Sequence, residues 1–121
     1  MKALVTGGEG GLGRAMRARL EREGYEVESL DLRNGFDVTD PAAWERVGPV
    51  DLACLNAGIL TAERDVRKLS AGDYRAAVAV NVDGIVLGVS AMPGQIALIL
   101  TGASCGATLR TNPTTACFVS E

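Results

Sequence analysis

Thr6-Gly7-Gly8-Glu9-Gly10-Gly11-Leu12-Gly13 follows directly on the apolar run Ala3-Leu4-Val5. This order predicts a buried strand, a glycine turn and the start of a helix. The glycines let the backbone turn tightly and approach a bound group closely. The helix N-terminus then presents unpaired N–H groups and the positive end of its dipole. A glycine-rich triplet alone is a weak signal. With a strand before it and a helix after it, the segment reads as a phosphate cradle and points to nucleotide binding.

The rest of the chain alternates strands and helices. Residues 2–6 form the first strand. A helix over 11–23 sets Leu12, Ala15, Met16 and Leu20 on one face, and Gly24 ends it. Residues 25–32 read as the second strand, and a brief third strand falls at 35–38. Asp40-Pro41 supplies the N-cap and first residue of a short helix, which Gly48-Pro49 stops. Residues 50–55 form a fourth strand that runs into Asn56-Ala57-Gly58.

Residues 59–69 are polar and irregular. Ser70-Ala71-Gly72-Asp73 fits a capping box and opens a helix with Tyr74, Val78, Val82, Ile85 and Val89 along one stripe. Met92-Pro93-Gly94 breaks it. Residues 96–100 form a fifth strand with a continuous apolar run, as in a sheet covered on both faces. The expected fold is a single α/β domain over 1–121: a doubly wound, Rossmann-like parallel sheet truncated after the fifth strand. Its ligand crevice lies at the carboxyl ends of the strands.

Composition narrows the function classes. The 121 residues carry 47% hydrophobic side chains and a net charge of −3. That charge argues against nucleic acid or an anionic membrane as partner. No apolar stretch is expected to span a bilayer, and Met1-Lys2 leads straight into a strand with no signal peptide. Cys54, Cys105 and Cys117 show no paired spacing, and their odd number suits a reducing cytoplasm. The chain has no histidine, so imidazole acid–base chemistry and most zinc sites are excluded, and no metal site is expected.

Asp31 ends the second strand, 18 residues beyond Gly13. A carboxylate there accepts hydrogen bonds from the adenosine ribose hydroxyls and repels a 2′-phosphate, which favours NAD over NADP. No basic residue occupies Gly8 to Gly10, and Glu9 adds negative charge. Arg33 alone argues for NADP.

The glycine loop, Asp37-Val38, Asn56-Ala57-Gly58 and Asn81-Val82-Asp83-Gly84 occur in the order seen in short-chain dehydrogenases/reductases, which the chain resembles over residues 1–91. Gly10 also allows the loop spacing of the extended, epimerase-like branch. The Asn-Ala-Gly and Asn-Val-Asp-Gly segments resemble the ordinary oxidoreductase branch. The resemblance implies that Gly7, Gly11, Leu12 and Gly13 hold the pyrophosphate. Asp31 and Leu32 would face the adenosine ribose, and Asp37 and Val38 would border the adenine. Asn56, Ala57 and Gly58 would pass beneath the nicotinamide-side ribose. Asn81 would be the helix asparagine of the family's proton relay, and Ser104 the serine that orients the substrate oxygen.

The family moves a hydride between NAD(H) and a small alcohol or carbonyl substrate, and it tends to form dimers or tetramers. Its proton passes through a tyrosine whose pKa is lowered by a lysine four residues on. Cys117 and Glu121 stand in those two slots, and no Tyr-x-x-x-Lys occurs in the chain. A thiol beside a carboxylate cannot replace that pair, because the carboxylate raises a neighbouring acid's pKa. Residues 101–121 form an atypical tail. The expectation is therefore the cofactor-binding half of an NAD-dependent oxidoreductase. The alternatives are a non-catalytic NAD-binding module and an epimerase-like nucleotide-binding protein.

Overall fold

The structure, a computed structural model, describes residues 1–92 and the backbone of 97–100. Four strands, β1 (Lys2–Thr6), β2 (Glu26–Leu30), β3 (Leu52–Leu55) and β4 (Ala97–Leu100), form one sheet in the order β2-β1-β3-β4. All three pairings are parallel, with Leu4 opposite Glu28 and Ala53, and Ala53 opposite Leu98. From β1 the chain steps outward to β2, then returns across β1 to β3. The reversal opens a crevice between the carboxyl ends of β1 and β3.

Side-chain alternation divides the core between the two sheet faces. Ala3, Val5 and Cys54 point to one face, where helix α1 (Gly11–Arg22) covers them through Leu20 and the partly buried Met16. Leu4, Ala53 and Leu55 point to the other, beneath α2 (Pro41–Trp44) and the long helix after the irregular loop. The sheet is thus covered on both sides, as a doubly wound fold requires.

Two features differ from the sequence expectation for α1. Leu12 is 55% exposed instead of packing on the sheet, and Ala15 is also exposed. Gly13, Met16 and Leu20 form the packed stripe. Gly24, at φ +88°, ends the helix as expected.

No strand forms at 35–38. Asp31 caps a 3-10 turn over Leu32–Asn34, and Asn34 Oδ1 accepts the Asp31 N–H in return. Gly35, at φ +85°, then reverses the chain, and the Phe36 N–H closes on the Asp31 carbonyl at 2.9 Å. Phe36 and Val38 are buried by folding over the end of the sheet. Phe36 meets the Trp44 ring edge-on at 5.0 Å, and Trp44 Nε1 donates to the Val38 carbonyl at 2.9 Å. The alternation that suggests a strand serves this hook. The strand at 97–100 is consequently the fourth described.

The long helix contains three parts: α3 (Ala71–Val78), a π-helical turn (Ala79–Asp83) and α4 (Gly84–Ala91). Ser70 caps it, its Oγ accepting from the Asp73 N–H at 3.0 Å and donating to the Asp73 carboxylate at 2.7 Å. The expected stripe does not pack as a unit, since Tyr74, Val82 and Val89 are 58%, 51% and 37% exposed. The π turn inserts a residue and rotates the register. Gly84 and Gly88 face the core instead: a Cβ on Gly84 would lie 2.8 Å from Val38, and one on Gly88 2.9 Å from Leu55 and Trp44. The helical run Ala71–Ala91, 21 residues with a mean hydropathy of 1.2, also reaches the length and hydropathy of a membrane span. This corrects the expectation that no stretch does so. Only its last part lies on the sheet, through Gly84 and Gly88, and Ala71–Val78 has no buried residue.

Gly88→Leu overfills the notch against Leu55 and Trp44, and chemical denaturation should show a loss of about 1–3 kcal/mol. Val86→Leu, on the exposed side, should stay within about 0.5 kcal/mol of the parent. Burial pushes the Cys54 thiol from 9.0 up to about 11. The folded state therefore resists ionisation that the unfolded chain allows, so stability should fall as pH rises from about 9 through 11. A Cys54→Ala chain should lack that component of the pH dependence in urea titrations.

Candidate functional site

A cavity of about 500 Å³ opens at the carboxyl ends of the strands, within the range of small-molecule and cofactor sites. The glycine loop forms one wall. Gly7 turns at φ +65°, and the Gly10 N–H donates to the Gly7 carbonyl at 3.1 Å. A Cβ on Gly13 would collide with the Gly7 carbonyl. Only glycine at position 13 lets α1 start so close to β1. The N-terminus of α1 has Gly10 as N-cap, no side-chain cap and no acidic residue in its first turn. Its leading N–H groups therefore have no competing side-chain acceptor, and Gly11, Leu12 and Gly13 line the cavity.

The floor is fixed by Thr6, which is 2% exposed. Its Oγ1 accepts from the N–H groups of Asn56 and Ala57, both at 2.9 Å, and its carbonyl accepts from Asn56 Nδ2 at 3.1 Å. One hydroxyl thus joins the end of β1 to the loop after β3. Gly7 fits against that loop, where its Cβ would lie 3.0 Å from the Ala57 Cα.

The acidic side comes from the hook after β2. Asp31 Oδ1 accepts the Arg33 N–H at 3.0 Å, and Oδ2 accepts the Glu9 N–H at 3.1 Å. This carboxylate ties the glycine loop to β2 and keeps further lone pairs for a ligand hydroxyl. Asp37 Oδ1 accepts both the N–H and the hydroxyl of Thr39 at 2.8 Å, which fixes the Asp37 carboxylate at the rim.

The structure brings Gly7, Gly11, Leu12, Gly13, Asp31, Leu32, Asp37, Val38, Asn56, Ala57 and Gly58 together around this one cavity. Asn81 sits behind it in the π-helical turn. Its Oδ1 accepts the Ile59 N–H at 2.8 Å and its Nδ2 donates to the Ile59 carbonyl at 2.9 Å, so the side-chain amide pins the loop after β3. Ser104, Cys117 and Glu121 lie outside the described residues.

Sequence reasoning missed several lining residues, among them Phe36, Ile59 and Val80. It also missed the Thr6 clamp. The signal for Phe36 is its alternation with Val38, which reads equally as a strand. For Thr6 the only signal is a hydroxyl at the end of an apolar strand. Thr6→Val strands two N–H groups and should cost about 2–3 kcal/mol in chemical denaturation, whereas Thr6→Ser, which keeps the acceptor, should lose less than about 1 kcal/mol.

No protein-family model and no curated protein sequence matches the chain. Solved structures do. Serine dehydrogenase from Escherichia coli superposes with a TM-score of 0.78 at 23% identity, covering 91% of this chain and 65% of that one. A 3-ketoacyl-ACP reductase from Sinorhizobium meliloti gives a TM-score of 0.71 at 22% identity, covering 83% and 52%. A short-chain dehydrogenase/reductase from Serratia marcescens gives 0.69 at 24% identity, covering 82% and 56%. The chain thus spans between 52% and 65% of the length of these three structures. At this identity the likeness establishes architecture: the chain has the α/β, Rossmann-like fold of the N-terminal part of short-chain dehydrogenases/reductases.

Proposed function

We propose that this chain binds a nicotinamide dinucleotide, NAD in preference to NADP, as the cofactor-binding part of a short-chain oxidoreductase acting on an alcohol or carbonyl. The observation that carries this reading is the uncapped, glycine-lined N-terminus of α1 facing a cavity of about 500 Å³, with Asp31 on its flank. Backbone N–H groups at a helix start suit a pyrophosphate. The Gly13–Gly7 approach leaves a cradle that any Cβ would fill, so the residues fit the group.

In this reading Gly7, Gly11, Leu12 and Gly13 hold the pyrophosphate. Asp31 accepts from the adenosine ribose hydroxyls, with Leu32 beside it. Asp37, with Val38 next to it, accepts from the adenine amino group. Asn56, Ala57 and Gly58 pass beneath the second ribose, where small residues permit close approach. A nicotinamide ring held there would supply hydride exchange. Asn81 is a positioning residue that holds the loop of Gly58 and Ile59 against the cavity. Ser104 is assigned to the substrate oxygen through the family resemblance. A buried, free Cys54 suits a reducing compartment such as the cytoplasm, and the dimeric or tetrameric tendency of the family extends to this chain.

A second reading is favoured by one observation. These 121 residues contain no Tyr-x-x-x-Lys, so by themselves they would act as a nucleotide-binding module without the family's proton-transfer pair. It predicts NADH binding with no turnover of simple ketones or alcohols.

Isothermal titration with NADH separates these readings from a merely structural glycine loop. Gly13→Val should abolish binding, with circular dichroism showing whether the fold survives. Unchanged NADH affinity in that variant contradicts the cradle. Asp31→Ala should narrow the gap between the NADH and NADPH dissociation constants by about tenfold, equivalent to ~1.4 kcal/mol. A fixed ratio removes Asp31 as the selector.

A further inference from the structure

The Glu9 contacts converge on the corner where the glycine loop meets the end of β2. Its carboxylate Oε1 pairs with the Arg17 guanidinium and accepts from the Ser29 hydroxyl at 2.7 Å. Its N–H donates to Asp31 Oδ2 at 3.1 Å, and its carbonyl accepts from Arg33 Nη1 at 2.8 Å. Among the described residues, Arg17 thus meets the Glu9 side chain and Arg33 the Glu9 backbone. The Glu9 and Arg17 side chains are 29% and 28% exposed, so solvent screens their pairing less than it would a fully exposed pair.

We propose that Glu9 is a specificity-determining residue that helps exclude a phosphate from the adenosine ribose by keeping the Arg17 charge paired. The inference rests on the dinucleotide reading and adds a second selector to it. A ribose phosphate carries about −1.5 to −2 charge at neutral pH and needs cations to hold it. At this corner it would meet the Asp31 carboxylate. Arg17 is paired with the Glu9 carboxylate, whereas Arg33 meets only the Glu9 backbone carbonyl and keeps its charge. Ser29, whose hydroxyl would otherwise be a donor for a phosphate, also points to Glu9. Asp31 supplies the repulsion, and Glu9 withholds the attraction.

Isothermal titration of NADPH and NADH against the full chain and its Glu9→Gln variant tests this. Glutamine keeps the size and an acceptor for Ser29, and removes only the charge. The NADPH dissociation constant should fall by about tenfold while that of NADH changes by less than about threefold. Adding Arg17→Ala to Glu9→Gln should reverse most of the gain. In the otherwise native chain, Arg17→Gln leaves the Glu9 charge unpaired and should weaken NADPH further with little effect on NADH. That variant keeps the test open if Glu9→Gln does not fold. Equal loss of both nucleotides in Glu9→Gln makes Glu9 a loop brace and overturns the proposal, as does unchanged NADPH affinity while NADH still binds. A native chain that binds neither nucleotide overturns the dinucleotide reading itself, which is a distinct result.

Discussion

The close approach of Gly13 to the Gly7 carbonyl governs the rest of the site. It allows the first turn of α1 to sit directly over the end of β1, so that the helix N-terminus faces the cavity. A side chain at position 13 would push α1 outward and move its N–H groups away from the crevice. The contact also sets which face of α1 meets the sheet. Met16 and Leu20 pack beside Val5, while Leu12 is left to line the cavity. Packing and binding geometry therefore come from the same missing Cβ.

Thr6 and Asp31 carry that arrangement to the other two walls. Thr6 fixes the loop after β3 through two backbone donors, and Asp31 fixes the glycine loop to the end of β2 through the Glu9 N–H. Asn81 completes the frame by pinning Ile59 from the long helix. Each is a polar side chain joining segments far apart in sequence, at strand ends where regular backbone pairing stops. Loops held in this way are preorganised, which reduces the ordering cost of binding.

What the sequence made legible was local chemistry. The strand–glycine–helix order, the Asp40-Pro41 helix start, the Ser70 cap and the Gly24 stop all depend on neighbours within a few residues, and each stands where expected. Most of the residues that line the cavity were legible for a related reason: they fall at strand ends and glycine turns, which sequence marks directly. The failures are tertiary. Phe36 and Val38 alternate like a strand, but the Asp31 cap and Gly35 turn them into a hook buried against Trp44. The stripe from Tyr74 to Val89 assumed regular helix and large inward residues, whereas a π turn shifts the register and Gly84 and Gly88 take the core positions. A notch that accepts glycine is specified by Val38, Leu55 and Trp44, which lie far away in sequence.

The most direct test of the account is amide chemical-shift mapping of the isotopically labelled chain during titration with NADH. The account predicts saturable shifts concentrated at Gly11, Leu12, Gly13, Asp31, Asn56, Ala57 and Gly58, with the α2 surface around Glu45 and Arg46 unmoved. Saturable shifts centred elsewhere, or none at millimolar NADH, would contradict the assignment of this crevice as a dinucleotide site.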